Sequence, residues 1–96
     1  MYARTSSWSG SREVIEAWAE HAATNVVPFV FGLPGNAGCV LLVDRESGRG
    51  LTLTLWDSEQ AALTSDRNAE QSRARTVAAT GVELTERGRY QVVARA

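Results

Sequence analysis

The sequence predicts a single α+β domain in which strands and helices follow the order β-α-β-β-α-β. Three observations predict it: an amphipathic helical pattern near the start, two strand-length patterns joined by a polar connection, and a second helical pattern followed by a last alternating stretch. This order is typical of a four-stranded antiparallel sheet with both helices on one face. The sequence has no internal repeat and no linker, so one domain is expected to fill residues 1–96.

The first part of the chain predicts a strand and then a long helix. Tyr2–Trp8 can be extended, and Ser9–Ser11 supplies turn and N-cap residues. Pro28 disfavours helical geometry at Val27, so a break or kink is expected there, and the helix should stop by Gly35. Residues at spacings of three and four place one face of this helix toward the sheet, and they are Val14, Trp18, Ala22, Asn25 and Phe29.

The middle of the chain predicts a β-hairpin. Gly38–Asp44 is a mostly apolar run of strand length, and Leu51–Trp56 alternates with the period of two that a strand requires. The intervening segment Arg45–Gly50 is polar and contains glycine, which favours an antiparallel connection.

A second helix and a last strand are predicted to complete the domain. Asp57 can cap the helix start, with Gln60 three residues on able to reach back. The helix is expected to run toward Ala78, with Gly81 as a left-handed C-cap. Arg89–Arg95 alternates polar and apolar residues, which predicts the final strand.

With both helices on one face, the other face of this sheet is left uncovered. A twisted sheet that carries leucine, valine and tyrosine is expected to hide such a face, because large exposed apolar patches mark interfaces. A domain of this length also buries only about 60–65% of its unfolded surface. We therefore expect a homodimer in which two sheets pack face to face.

Composition excludes several classes of function. The formal charge of −1 and the pI near 5.8 do not favour binding to nucleic acid. The longest largely apolar stretch, 26–33, is too short to cross a membrane, and the N-terminus lacks an export signal, so a cytoplasmic location is expected. Cys39 is the only cysteine and His21 the only histidine, so we expect no disulfide and no metal site.

Several short motifs resemble those of one known group of proteins. They are Ala3-Arg4-Thr5, Val27-Pro28, Pro34-Gly35, Val43-Asp44-Arg45-Glu46-Ser47-Gly48 and, above all, Leu55-Trp56-Asp57-Ser58-Glu59. Over nearly the whole chain the sequence resembles the small dimeric α/β-barrel proteins of the antibiotic-biosynthesis-monooxygenase and stress-responsive-barrel type. The resemblance implies a ferredoxin-like βαββαβ fold. Members of the group serve as cofactor-free oxygenases of polycyclic phenols, haem-degrading enzymes, cyclases or proteins without known catalysis.

The resemblance also implies roles for individual residues. Trp56 matches a tryptophan that borders the pocket in the oxygenases, although it also fits a core anchor. Thr52 and Thr54 stand on the strand where the oxygenases usually have an asparagine, and the second helix lacks their tyrosine. Haem degradation would need a histidine on that helix and an asparagine in Tyr2–Trp8, and neither is present. No cofactor is therefore expected.

His21 and Asn25 are polar residues one turn apart on the first helix, predicted to face the sheet. One interpretation makes Asn25 a cap before Pro28 and leaves His21 half-exposed at the margin. The other makes both catalytic groups of a pocket together with Trp56, with His21 as the general base, because its unperturbed pKa of about 6.5 suits that work near neutrality.

One predicted face of the second helix carries only small residues, namely Ala62, Ser65, Ala69, Ser72 and Thr76. Either this helix packs very close to the sheet, or a cavity lies beneath it. Such a cavity would suit a flat aromatic ligand. The side chains proposed to bind that ligand are Trp18, Phe29, Phe31, Thr52, Thr54, Tyr90 and Arg4.

Three functions remain open on the sequence alone. The first is cofactor-independent oxygenation of a planar aromatic or polyketide-like molecule in secondary metabolism. The second is a non-catalytic dimer that binds a hydrophobic ligand or has a structural role. The third is cyclisation or isomerisation on the same scaffold, which needs a pocket and one acid or base such as His21.

Overall fold

Four strands form one antiparallel sheet, and the connecting helices pack on one face of it. The computed structural model describes residues 1–96, and the sheet has the strand order β2-β3-β1-β4. The predicted α+β class and element order are confirmed. The elements are β1 (Tyr2–Ser9), α1 (Arg12–His21), a π-helical segment (Ala22–Val26), α2 (Val27–Phe31), β2 (Asn36–Asp44), β3 (Arg49–Trp56), α3 (Glu59–Thr64), α4 (Asp66–Thr80) and β4 (Glu83–Gln91).

The strand pairing determines which side chains face the helices. In the centre of the sheet, Arg4 on β1 lies opposite Thr54 on β3 and Arg89 on β4. Directly opposite residues share a face, and side chains alternate along each strand. Trp8 and Trp56 therefore lie on the same face as Arg4, and this face carries the helices.

The first helical region continues through Pro28 without a full break, and the break or kink expected at Val27 takes the form of a π-helical irregularity that ends there. The helix accommodates the proline through the π-helical segment just before it, where the backbone N–H of Val27 donates to the carbonyl of Ala22. Pro28 then stands within the first turn of α2, where its missing N–H costs little. The region ends at Gly32, within the predicted limit.

The π turn also changes which residues face the sheet. A π turn contains one residue more than an α turn, so the buried face advances by one position. After Ala22, the residues that pack into the core are Val26 and Val30, whereas Asn25 is exposed and Phe29 is 38% exposed. The expectation that Asn25 faces the sheet is therefore wrong.

Two groups of apolar side chains form the core between sheet and helices. The larger consists of Trp8, Ile15, Trp18, Ala22 and Val82, and the smaller consists of Val30, Trp56 and Ala62. A glycine in β3 allows the closest contact: a Cβ atom at Gly50 would lie 2.5 Å from Cζ3 of Trp18. Because that position has no side chain, the Trp18 ring lies directly on the sheet.

The second helical region starts one residue later than predicted and is divided. Ser58, rather than Asp57, is the N-cap, because its hydroxyl accepts a hydrogen bond from the backbone N–H of Ala61 at 3.1 Å. The region divides at Ser65 into α3 and α4. Gly81 ends α4 in the left-handed conformation (φ 75°), as predicted.

The last strand lies earlier in the sequence than the alternating pattern predicts. It spans Glu83–Gln91 rather than Arg89–Arg95, and residues 92–96 have no regular structure. The strand is at the edge of the sheet and mostly exposed, so its side chains are mostly polar and show no apolar alternation. No helix in the structure has the length and apolar character needed to span a bilayer.

Candidate functional site

A narrow pocket lies between the helix-bearing face of the sheet and α4. Its cavity volume is about 50 Å³, inside an envelope of about 540 Å³ that includes open solvent at the mouth. About 10–15 Å³ of such volume holds one water molecule, so the closed part is small but not solid. The lining residues are Arg4, Ser6, Trp8, Trp18, Ala22, Val26, Phe29, Val30, Leu33, Thr52, Thr54, Trp56, Ser65, Ala69, Ser72, Arg73 and Thr76.

The small residues of the second helical region form one wall of this pocket. Ser65, Ala69, Ser72 and Thr76 all border it, and Ala62 is fully buried beside them. Both alternatives that the sequence left open are partly realised: Ala62 packs closely on the core, and the residues that follow leave a cavity beneath α4.

Three tryptophans line the pocket, and their indole N–H groups differ in their partners. The N–H of Trp8 donates to the hydroxyl of Thr52 at 3.0 Å, and that of Trp56 donates to the hydroxyl of Thr54 at 3.0 Å. The N–H of Trp18 is fully buried and has no partner. A buried donor without an acceptor costs about 1–3 kcal/mol, so an acceptor atom that reached this group would be bound favourably.

The ring of Trp18 has a defined orientation. Its six-membered edge, with Cε3, Cζ3 and Cη2, lies against Gly50 of β3. The indole nitrogen belongs to the five-membered ring at the opposite edge of the side chain. The unpartnered N–H is therefore directed away from the β3 backbone in a residue that lines the pocket.

Arg4 is a buried cation whose hydrogen-bonding groups are well satisfied. Its guanidinium donates to the hydroxyl of Ser65 at 2.8 Å, to the carbonyl of Ala62 and to the carboxylate of Asp66. It also lies over the ring of Trp56, with Cζ 5.6 Å from the ring centroid. These contacts connect β1 to the junction of α3 and α4, so Arg4 forms a fixed wall of the pocket.

Arg73 is a second cation on the pocket wall, and it lacks such partners. It is half-buried, and no carboxylate oxygen lies within 4.0 Å of its guanidinium. Burial, together with the nearby charges of Arg87 and Arg4, lowers the pKa of Arg73. An arginine remains protonated at neutral pH even so. The pocket therefore has at one side a positive charge that no bound carboxylate pairs with, and the more distant carboxylates of Glu70 and Asp66 offset part of it.

The structure brings together part of the predicted set of site residues. Trp56, Trp18, Phe29, Thr52, Thr54 and Arg4 all border the pocket. Two others do not: Phe31 is 80% exposed, and Tyr90 is 55% exposed on the opposite face of the sheet. Tyr90 is directed outward because it pairs with Ala3, one residue from Arg4.

His21 and Asn25 lie outside the pocket, so the predicted grouping of these residues with Trp56 is wrong. They border a shallow surface depression between α1 and the end of α4. His21 is half-exposed, and its Nδ1 lies 3.3 Å from the amide nitrogen of Asn25. The π turn accounts for the placement of Asn25, whereas His21 precedes the turn and lies at the margin of α1. His21 is consequently not placed to act as a base on a ligand in the pocket.

Other pocket residues were not predicted from the sequence. Ser6, Trp8 and Arg73 are the ones that matter most for chemistry. Arg73 is four residues after Ala69 and one after Ser72, so helical spacing alone places it at the margin of the small-residue face. The pairing of β1 with β3 places Ser6 and Trp8 beside the threonines of β3, and this pairing is not visible in one sequence.

The pocket suits an aromatic ligand with oxygen substituents. It offers indole rings as flat walls, hydroxyl groups along one side, one unpartnered N–H donor and one unpaired cation. Cys39 adds no nucleophile, because burial raises the pKa of its thiol. No group of three or more histidine, cysteine, aspartate or glutamate side chains is arranged to hold a metal ion.

The strand order and the helices on one face of the sheet define a ferredoxin-like α+β domain. Three solved structures share the fold over nearly the whole chain. A monooxygenase from the gene ActVA-Orf6 of Streptomyces coelicolor, in complex with nanaomycin D, has a TM-score of 0.72 at 14% identity and covers 99% of this chain and 88% of its own. SnoaB, a cofactor-independent oxygenase from Streptomyces nogalater, has a TM-score of 0.67 at 15% identity, and the match covers 98% of this chain and 94% of SnoaB.

The third is a dimeric ferredoxin-like protein from an uncultured marine organism. Its TM-score is 0.73 at 12% identity, and the match covers 99% of this chain and 96% of that protein. The structural similarity of these three proteins confirms the predicted ferredoxin-like fold.

Sequence comparison adds relatives from one organism. The chain is 34% identical over 61 residues to the uncharacterized protein Rv2557 of Mycobacterium tuberculosis H37Rv and to MT2634 of strain CDC 1551. The match covers 64% of this chain and spans 27% of the length of those relatives. No family model matches the sequence.

Proposed function

We propose that this chain is a small-molecule pocket enzyme that oxygenates a planar phenolic, polyketide-like substrate without a cofactor. The observation that carries the proposal is the buried, unpartnered N–H of Trp18 on the wall of an aromatic pocket. The oxygenase activity of two proteins with the same fold, SnoaB and the ActVA-Orf6 product, supports the choice of reaction.

In the proposed reaction, the pocket wall has no histidine or carboxylate to act as a base, so the substrate proton passes to solvent water at the open mouth and returns from there to the peroxide formed later. Deprotonation of an anthrone-like substrate gives an aromatic oxyanion, which the indole N–H of Trp18 stabilises by a hydrogen bond in a site with little water. The oxyanion transfers an electron to O2, and the two radicals combine to a peroxide at the reacting carbon. Loss of water from the peroxide leaves a carbonyl, so a CH2 group and O2 become C=O and H2O.

The walls of the pocket fit the shape of such a substrate. Trp18 and Trp56 are rigid and flat, and the hydroxyl groups of Thr52 and Thr54 are already engaged by indole N–H groups. The closed cavity of about 50 Å³ is small. One part of the ligand would therefore be enclosed, and the remainder would extend to the open mouth.

We expect the purified protein to consume oxygen with anthrone, and Trp18→Phe to lower the rate by at least about tenfold, because the variant keeps the ring but lacks the donor. Oxygen-electrode measurements with anthrone would test this. Trp8→Phe is the matched control, since the N–H of Trp8 is engaged by Thr52. His21→Ala should also retain the rate. Equal rates for Trp18→Phe and the original chain would contradict the role of Trp18, and no uptake by any of them would contradict oxygenation.

The second candidate is a non-catalytic protein that binds an aromatic ligand. It is favoured by the small closed volume and by the absence of any histidine or free carboxylate on the pocket wall. Binding of anthrone without oxygen consumption, measured by quenching of tryptophan fluorescence, would support this function over the first.

We further propose that the chain forms a homodimer through the face of the sheet opposite the helices. Val40 and Leu42 on β2 pair with Leu53 and Leu51 on β3, and the four side chains form an apolar patch on that face. Leu42 is 51% exposed and Val40 45% exposed, and Tyr90 is exposed on the same face, on β4 at the other edge of the sheet. A second copy would cover this patch, as the fold's occurrence in a dimeric ferredoxin-like protein supports.

Gel filtration at micromolar concentration is expected to give the mass of a dimer, and Leu42→Glu is expected to give a monomer, because it places a charge in the apolar patch. Leu63→Glu is the matched control: this leucine is also exposed, at 40%, but it belongs to α3 on the helical side. A folded monomer for the original chain would contradict the proposed interface.

A further inference from the structure

An arginine-rich groove continues from the pocket along β4, between this strand and α4. It shares Arg4 and Arg73 with the pocket. Its polar lining consists of four arginines and two carboxylates, namely Arg4, Arg73, Arg87, Arg89, Asp66 and Glu70. The groove is positively charged although the whole chain has a formal charge of −1.

The carboxylate of Asp66 is already engaged by two of these arginines. One of its oxygens accepts from Arg4, and the other accepts from Arg89 at 2.8 Å. Arg73 and Arg87 have no carboxylate oxygen within 4.0 Å, and neither donates a side-chain hydrogen bond within the chain. Two guanidinium groups in the groove are therefore free to bind an anion.

The strand pairing places Arg87 on the pocket side of the sheet. Arg87 pairs with Ser6 and Arg89 with Arg4, so the side chains of β4 at these positions share the face that carries α4. Arg73 on α4 approaches the same groove from the helix. One cation comes from each wall, and the aromatic cavity opens between them.

We infer that the ligand of this pocket carries a carboxylate, which the guanidinium groups of Arg73 and Arg87 bind at the mouth while its aromatic part enters between the tryptophans. This inference rests on the proposed function and makes its substrate class more specific: a planar phenol that also carries a carboxylate. The planar guanidinium has the geometry to bind a carboxylate through two parallel hydrogen bonds. An anion here also neutralises Arg73, whose burial without a partner is costly.

Isothermal titration calorimetry with 2-naphthoate and 2-naphthamide tests the inference, because the two probes have nearly the same shape and differ in charge. We expect naphthoate to bind at least about tenfold more tightly than the amide at low salt, with the ratio falling as salt increases. Arg73→Gln should remove most of this ratio, and Arg87→Gln part of it. Arg75→Gln is the matched control, since Arg75 is an exposed arginine of α4 that borders neither the pocket nor the groove.

Thermal unfolding without ligand separates a binding role from a structural one. If Arg73 serves binding, Arg73→Gln should leave the melting temperature unchanged or raise it, because it removes an unpaired, half-buried charge. A lower melting temperature together with an unchanged naphthoate-to-amide ratio would overturn the inference.

The two probes also distinguish this inference from the function on which it rests. Equal affinity for naphthoate and naphthamide would overturn the carboxylate site and leave the aromatic pocket in place. Failure of both probes to bind would overturn the aromatic pocket and the carboxylate site together.

Discussion

Gly48→Ala is expected to lower the free energy of unfolding by about 3 kcal/mol. Two costs combine at this position in the β2–β3 connection. Gly48 has a φ of 70°, where an L-residue pays about 1–2 kcal/mol, and an added Cβ would lie 2.3 Å from the carbonyl oxygen of Gly10. That neighbour is backbone and cannot rotate away. The backbones of Gly10 and Gly48 are held together by a hydrogen bond, in which the N–H of Gly10 donates to the carbonyl of Gly48 at 3.0 Å.

Gly81→Ala is the matched control for this prediction. Gly81 has nearly the same backbone conformation, with φ 75°, but a Cβ there would meet no atom within 4 Å. We expect a loss of about 1 kcal/mol, from the backbone term alone. Urea denaturation at one fixed protein concentration would give both values. Equal losses in the two variants would show that the contact with Gly10 contributes nothing.

Arg4→Met is expected to lower the free energy of unfolding by about 2–3 kcal/mol, because it removes three buried or partly buried hydrogen bonds and keeps much of the side-chain volume. Arg4 is 9% exposed and connects β1 to Ala62, Ser65 and Asp66. The estimate stays below the cost of breaking a fully buried ion pair, since the Asp66 carboxylate is 42% exposed and remains hydrated.

Arg89→Met supplies the comparison, since Arg89 binds the other oxygen of the same carboxylate. Its side chain is 46% exposed, and a surface ion pair of this kind contributes about 0–1 kcal/mol. Denaturation curves for the two variants should therefore differ in midpoint by far more than their experimental error. A loss as large for Arg89→Met as for Arg4→Met would show that the buried contacts of Arg4 do not matter.

The sequence predicts the architecture well where one physical signal dominates. The alternation in Leu51–Trp56 and the left-handed cap at Gly81 lead directly to β3 and to the end of α4. The small residues from Ser65 to Thr76 leave open either close packing or a cavity beneath α4, and the structure has a small cavity there. For the strand and the cap, a local rule and the tertiary structure agree.

The predictions that fail depend on tertiary context. Glu83–Gln91 forms a strand although it is largely polar, because an edge strand needs backbone pairing and little burial. Ser58 caps α3 in place of Asp57, a choice between adjacent residues that are both good caps. The sequence also contains no sign that Arg73 lacks a carboxylate partner, since partners come from other elements of the fold.

The π turn at Ala22–Val26 has a consequence for how this chain is compared with others. Residues before the turn and residues after it belong to two helical frames that differ by one position. A gap-free alignment with a relative that has a continuous α-helix here would place Asn25 and Phe29 against core positions. Placing a one-residue insertion inside the turn would align Val26 and Val30 with the core instead, and would restore the correspondence of buried positions along the whole helix.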